Sequence, residues 1–224
     1  MKKIIIACSK QWFFKNQKVK NFIKKNKIIV IYKDKYLKIN NLKNIKPDVI
    51  FFPHWSYKVK EEILNNFLCI GFHTAPLPYG RGGSPIQNLI IRNFKIAPVC
   101  AIKMTNKFDA GPIFLKEKVS LSGNLDAIFN RISLSIIQMI KIFMKKKIKP
   151  IKQKGKVLKF KRINEKQSNI KKENTLKKIF DKIRMLDTDE YPNAYLKTNK
   201  LKIIFRDAVL EKKFIKAKVK IFKN

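Results

Sequence analysis

Short apolar runs alternate with amphipathic segments through the first 120 residues, and this alternation constrains the fold more than any other feature. Residues 2–7, 27–32, 49–52 and 69–72 are strand-length apolar runs. Between the first two, residues 13–25 place Phe14, Val19, Phe22 and Ile23 on one helical face, and residues 59–67 read as another helix. Strands and helices in alternation predict an α/β fold with a mostly parallel, Rossmann-like sheet and right-handed crossovers. Further on, Ser84-Pro85 is expected to open a helix over 86–92, because Ser caps well and Pro suits the first helical position. Residues 99–104 and 113–119 read as strands, and 125–145 as a long helix.

Composition turns basic and polar near Pro150. Residues 1–150 therefore read as the main domain and 151–174 as a linker. Residues 175–224 read as a small α+β, antiparallel domain with a helix over 175–186 and three strands. The apolar stretch at 4–7 is far shorter than the ~7–15 residues of an export signal, so a buried first strand is the better reading. The run at 133–144 is interrupted by Lys141 and falls below the ~18–20 residues of a membrane span, so no membrane insertion is expected. Cys8, Cys69 and Cys100 are widely separated and form no CxxC pair. That argues against a zinc site or disulfide framework and suits a reducing cytoplasm.

The net charge of +37 has two readings. Clustered cations release counterions from phosphates, which favours nucleic acid or another anionic substrate. Yet only six of the 52 basic residues are arginine, and lysine rises together with Ile, Asn and Phe, as an A/T-rich coding bias produces. Charge alone does not choose between them.

Two strand-end loops carry the chemistry. One begins at His73 and runs through Pro76, Pro78 and the glycines Gly80, Gly82 and Gly83 to Gln87; the other contains Asp109-Ala110-Gly111-Pro112. An imidazole held among prolines beside a loop carboxylate is suited to moving protons. Glycines leading into a helix N-terminus let backbone approach an anionic ligand.

The pattern HxxxLPxxRGxxPIQ at 73–87, followed by DxGxI at 109–113, resembles the formyltransferase superfamily, with sugar N-formyltransferases the nearest in character. The region around Asp181, Arg184 and Tyr191-Pro192-Asn193-Ala194 is similar to the segment after the catalytic domain in tRNA and sugar formyltransferases. The resemblance implies 10-formyltetrahydrofolate as co-substrate, no metal, and a primary amine as acceptor. His73 and Asp109 fall on the family's catalytic positions. The family asparagine, a second donor to the developing oxyanion, falls on Gly71, a departure from the pattern. Phe52, His54, Trp55 and Ser56 are the expected folate contacts, with His54 also a candidate substitute donor. Arg81, Gly82 and Gln87 match positions expected to shape the loop or meet the acceptor. An amino sugar on a nucleotide carrier is the first expectation for that acceptor, and methionyl-tRNA the second. A catalytically inactive folate- or RNA-binding relic is the third. The family's tail also implies a possible homodimer.

Overall fold

The computed structural model describes residues 2–223. In chain order the elements are β1 (Ile4–Cys8), α1 (Gln17–Lys25), β2 (Ile29–Ile31), α2 (Ile39–Ile45), β3 (Val49–His54), α3 (Glu61–Asn66), β4 (Cys69–His73), β5 (Tyr79–Gly82), α4 (Pro85–Ile91), β6 (Ile96–Lys103), β7 (Ile113–Ser120), α5 (Leu125–Lys145), β8 (Leu158–Phe160), α6 (Leu176–Arg184), β9 (Tyr195–Lys197), β10 (Leu201–Leu210) and β11 (Ile215–Lys223). The main sheet has the order β2-β1-β3-β4-β6-β7. β2, β1, β3 and β4 are parallel, while β6 and β7 join antiparallel. The chain leaves β1 to one side for β2 and returns to its other side for β3. That reversal opens a crevice beyond the carboxyl ends of the strands, where sheets of this kind hold ligands.

Alternation along each strand sends side chains to two separate cores. Ile4, Ile6, Phe51 and Ile70 face one, Ile5, Ala7, Ile50 and Phe52 the other. The first core is closed by α5. Asn124 caps this helix by accepting from the Ala127 N–H, and Phe129, Ile132, Ile136, Ile140 and Phe143 are buried along it. Each contributes roughly 1.5–3 kcal/mol of burial free energy. Among the described residues α5 alone is long and apolar enough to cross a membrane, and 56% of its apolar window is buried inside the protein. It is the helix on which the core is built.

The elements of the N-terminal half are short: α1 has 9 residues, β2 three and α2 seven. Helix α2 has no counterpart in the sequence pattern, because only Leu42 in it is fully buried and so short a segment shows no helical periodicity. Residues 151–163 differ from the expected linker. Ile151 exchanges both backbone hydrogen bonds with Ile113 at 2.8 Å, and β8 pairs with β5. Asn88 Nδ2 donates to the Lys161 carbonyl at 2.9 Å. A basic, polar composition conceals a strap whose bonds are mainly backbone bonds, which sequence patterning does not register. After it, β11-β10-β9 form the expected antiparallel sheet, with α6 packed against it.

Candidate active site

β4 ends at His73, which is 8% exposed. Its Nε2 lies 2.7 Å from the carbonyl oxygen of Gly80. A carbonyl only accepts, so Nε2 carries a proton and the neutral ring keeps its lone pair on Nδ1. Nδ1 faces Asp109, with Oδ1 at 3.5 Å. A proton taken up at Nδ1 therefore arrives against a carboxylate. The other carboxylate oxygen accepts from the Gly82 N–H at 2.9 Å. The loop glycine thus serves the pair directly: at φ +107 it is left-handed, and a Cβ there would stand 2.5 Å from the Phe160 carbonyl oxygen.

Asp109 reaches His73 by an unexpected route. Because β6 is antiparallel to β4, Lys103 at its carboxyl end pairs with Ile70, at the start of β4. Residues 104–112 then fold back along the face of β4 to bring Asp109 up to His73. Gly71 lies under that crossing. A Cβ on it would meet Met104 Cγ at 3.2 Å and Sδ at 3.5 Å. The expected asparagine is thus replaced by a bare backbone with a thioether packed on it, and neither supplies a donor.

A cleft of about 400 Å³ surrounds the pair and is lined from both faces of the sheet. On one side lie Phe52, Trp55, Leu64 and Met104; on the other lie Trp12, Ile86, Phe129, Ile132, Ile136, Arg162 and Tyr191. Trp12 stacks on Phe129 with ring centroids 4.6 Å apart. The Trp55 ring packs edge-on to Phe52 at 5.9 Å, and its buried Nε1–H has no partner among the described residues. An apolar wall bearing one unspent donor fits a flat heterocycle with a carbonyl, such as a pterin. Ser56 is exposed and ties the loop to β1, its N–H donating to Ser9 Oγ at 3.1 Å.

His54 is turned away from the Gly71 side. Between Phe51 and His54 β3 has three steps where β1 has two from Ile6 to Cys8, and this bulge reverses the alternation. The ring meets Trp12 at 6.1 Å rather than Trp55. Desolvation, with Lys10 and Arg162 adding to it and Glu190 opposing, pushes its pKa down to about 4. A depressed histidine stays neutral in the fold while the unfolded chain protonates. Stability is therefore full above the unfolded value near 6.5 and declines as pH falls toward about 4. The loss is bounded at roughly 3 kcal/mol, and His54→Gln should flatten the melting temperature across that window. An equal slope in both proteins would exclude it.

Gln87 is fully buried and donates through Nε2 to the Met185 carbonyl at 3.1 Å, tying α4 to the segment after α6. Its Oε1 has no hydrogen-bond partner among the described residues. Arg81 turns out of the cleft and binds Gln153. Ser84 caps no amide of α4: it is left-handed at φ 47, and its Oγ accepts from Ile163 N–H at 3.1 Å on the strap. Burial raises the thiols of Cys8 and Cys69 to about 12 and that of Cys100 to about 11, so none offers a thiolate near neutral pH. Among the described residues, no three His, Cys, Asp or Glu side chains converge as a metal site. Sequence reasoning does not single out Trp12, Met104, Gln153, Arg162 or Tyr191 as site residues. For Trp12 a signal exists, since it follows β1 at the carboxyl edge.

The geometry has close counterparts among known proteins. A methionyl-tRNA formyltransferase from Clostridium thermocellum superposes with a TM-score of 0.95 at 39% identity, covering 100% of both chains. This chain belongs to the methionyl-tRNA formyltransferase family. The C-terminal domain model of methionyl-tRNA formyltransferase matches residues 165–222. The enzyme of that name from Thermodesulfovibrio yellowstonii is 30% identical over 183 residues, 77% of this chain and 58% of its own length. The chain spans between 32% and 60% of the length of the curated relatives it matches. HypX from Aquifex aeolicus, solved with tetrahydrofolic acid, shares the fold at a TM-score of 0.76 and 16% identity, over 95% of this chain and 38% of its own. The resemblance to formyltransferases, and the α/β fold with an antiparallel C-terminal sheet, are borne out.

Proposed function

We propose that this chain transfers a formyl group from 10-formyltetrahydrofolate to the α-amine of methionyl-tRNA, in the cytoplasm. The observation that carries the reading is the His73–Asp109 pair, fixed by Gly80 and Gly82 within a cleft open from both faces of the sheet. The folate would lie on the Phe52, Trp55 and Met104 side, where it supplies an activated one-carbon unit. The acceptor would enter from the Trp12 side.

His73 Nδ1 takes the proton that the attacking amine sheds and returns it toward the leaving nitrogen. Asp109 keeps the charged ring beside the reacting carbon. Gly71 contributes no side-chain donor to the carbonyl oxygen under attack; with Nε2–H held by Gly80, the ring's donor there is Nδ1–H, once it has taken the amine's proton. On the acceptor side the apolar walls Trp12, Phe129, Ile132 and Ile136 suit an unbranched thioether, and Arg162 and Tyr191 on the same side supply polar groups. The charge of +37 would serve a polyanionic carrier without by itself selecting one. The family assignment points to methionyl-tRNA and displaces the amino sugar as first choice.

The test offers 10-formyltetrahydrofolate with methionyl-tRNA, and separately with nucleotide-linked amino sugars. Formylmethionyl-tRNA should form, with KM rising steeply between 50 and 200 mM salt, as counterion release requires for ~6–10 phosphate contacts. Transfer to a sugar amine alone would replace the acceptor, and no transfer to any amine would leave the relic.

A further inference from the structure

Two residues of β5 hold the catalytic pair directly, and the residue between them reaches the strap. The Gly80 carbonyl accepts from His73 and the Gly82 N–H donates to Asp109. Arg81, between them, points its side chain to the strap. Its Nε and Nη2 donate to Gln153 Oε1 at 3.1 and 2.7 Å. Gln153 Nε2 in turn donates to the carbonyls of Asp109 and Gly111, both at 2.8 Å. All four hydrogen-bonding capacities of this amide are used. Its orientation is unambiguous, because carbonyls require the NH₂ and the guanidinium requires the oxygen.

The clasped backbone needs such a hold. Asp109 is non-glycine at φ 53, a left-handed conformation that costs roughly 1–2 kcal/mol, and its neighbour Phe108 is 74% exposed. Nothing in the loop's own apolar packing fixes the carboxylate against His73.

We propose that Gln153 is a positioning residue for Asp109, and that Arg81 acts on the reaction only by holding Gln153. The proposal rests on the function inferred above, and its test is built to separate the two. Gln153→Leu should lower kcat about 10²-fold, the cost of a displacement near 1 Å, with folate KM within about threefold. Arg81→Met should give a smaller loss, and the double variant should be no slower than Gln153→Leu alone, because one partner acts through the other. Gln153→Glu, which keeps a partner for Arg81 but turns a carboxylate on the two carbonyls, should lose kcat similarly and retain its melting temperature.

An activity-independent readout comes from the histidines, of which the chain has two. In ¹⁵N ring spectra, assigned with His54→Gln, the His73 resonances should move in Gln153→Leu while those of His54 stay. Multiplicative effects of the two single substitutions, an unchanged kcat, or an unmoved His73 ring would overturn the proposal. Should the unsubstituted chain formylate no amine, the function fails, and the ring spectra still decide whether Gln153 positions Asp109.

Discussion

His73→Ala should lower kcat by about 10³–10⁴ while folate binding changes by no more than about threefold. The size reflects one ring serving two tasks. A positioned acid–base group contributes ~10²–10⁴, and an oxyanion donor ~10²–10³. In this site no asparagine shares the second task, because Gly71 stands in its place and Met104 covers it. Binding should survive because the proposed folate wall is Phe52, Trp55 and Met104, which the substitution leaves in place. His73→Gln is the sharper variant. An amide can donate to the oxygen but cannot accept the amine's proton as a base, so it should recover part of the loss and no more. Single-turnover formylation, with folate binding measured separately by fluorescence, gives both numbers. A kcat for His73→Ala within tenfold of the unsubstituted chain would remove the imidazole from the reaction.

Much of this architecture is legible in the sequence, and the reasons are specific. β1, β3 and β4 are buried on both faces and read as continuous apolar runs. α5 shows its period because a whole face is buried over 21 residues. His73 and Asp109 can be picked out because both carry reactive groups within ordered glycine and proline spacing. The hidden parts share another property. The strap at 151–163 and the crossing loop at 104–112 are held by main-chain and amide bonds, and a Gln in a basic tract advertises nothing. The direction of β6 is hidden too, since an apolar run does not state which way it runs. The bulge in β3 is equally silent, yet it decides which face of the sheet His54 joins.

Gly111 and Gly71 look alike in the sequence, and alanine at the two positions should separate them widely. At Gly111 a Cβ would stand 1.7 Å from the Lys103 carbonyl oxygen. That oxygen is backbone at the end of β6, and the Lys103 N–H is bound to the Pro112 carbonyl at 2.9 Å. Neither side of the contact is the free end of a side chain, so the loop itself must lift. Lifting it breaks the Gln153 clasp on Gly111 and Asp109 and carries the carboxylate off His73. Gly111→Ala should therefore cost at least ~3 kcal/mol of stability, in the range of severe backbone and packing defects. Its turnover should fall by about 10², as for other misplacements of this pair. At Gly71 the nearest atom is Met104 Cγ at 3.2 Å, part of a flexible chain that can move by a few tenths of an ångström. Gly71→Ala should stay within about 1 kcal/mol and a few-fold of the parent. Urea denaturation and steady-state kinetics on the two variants would test this contrast. Equal effects at the two sites would mean that the 104–112 loop does not cross β4 over Gly71, and the route by which Asp109 reaches His73 would have to be redrawn.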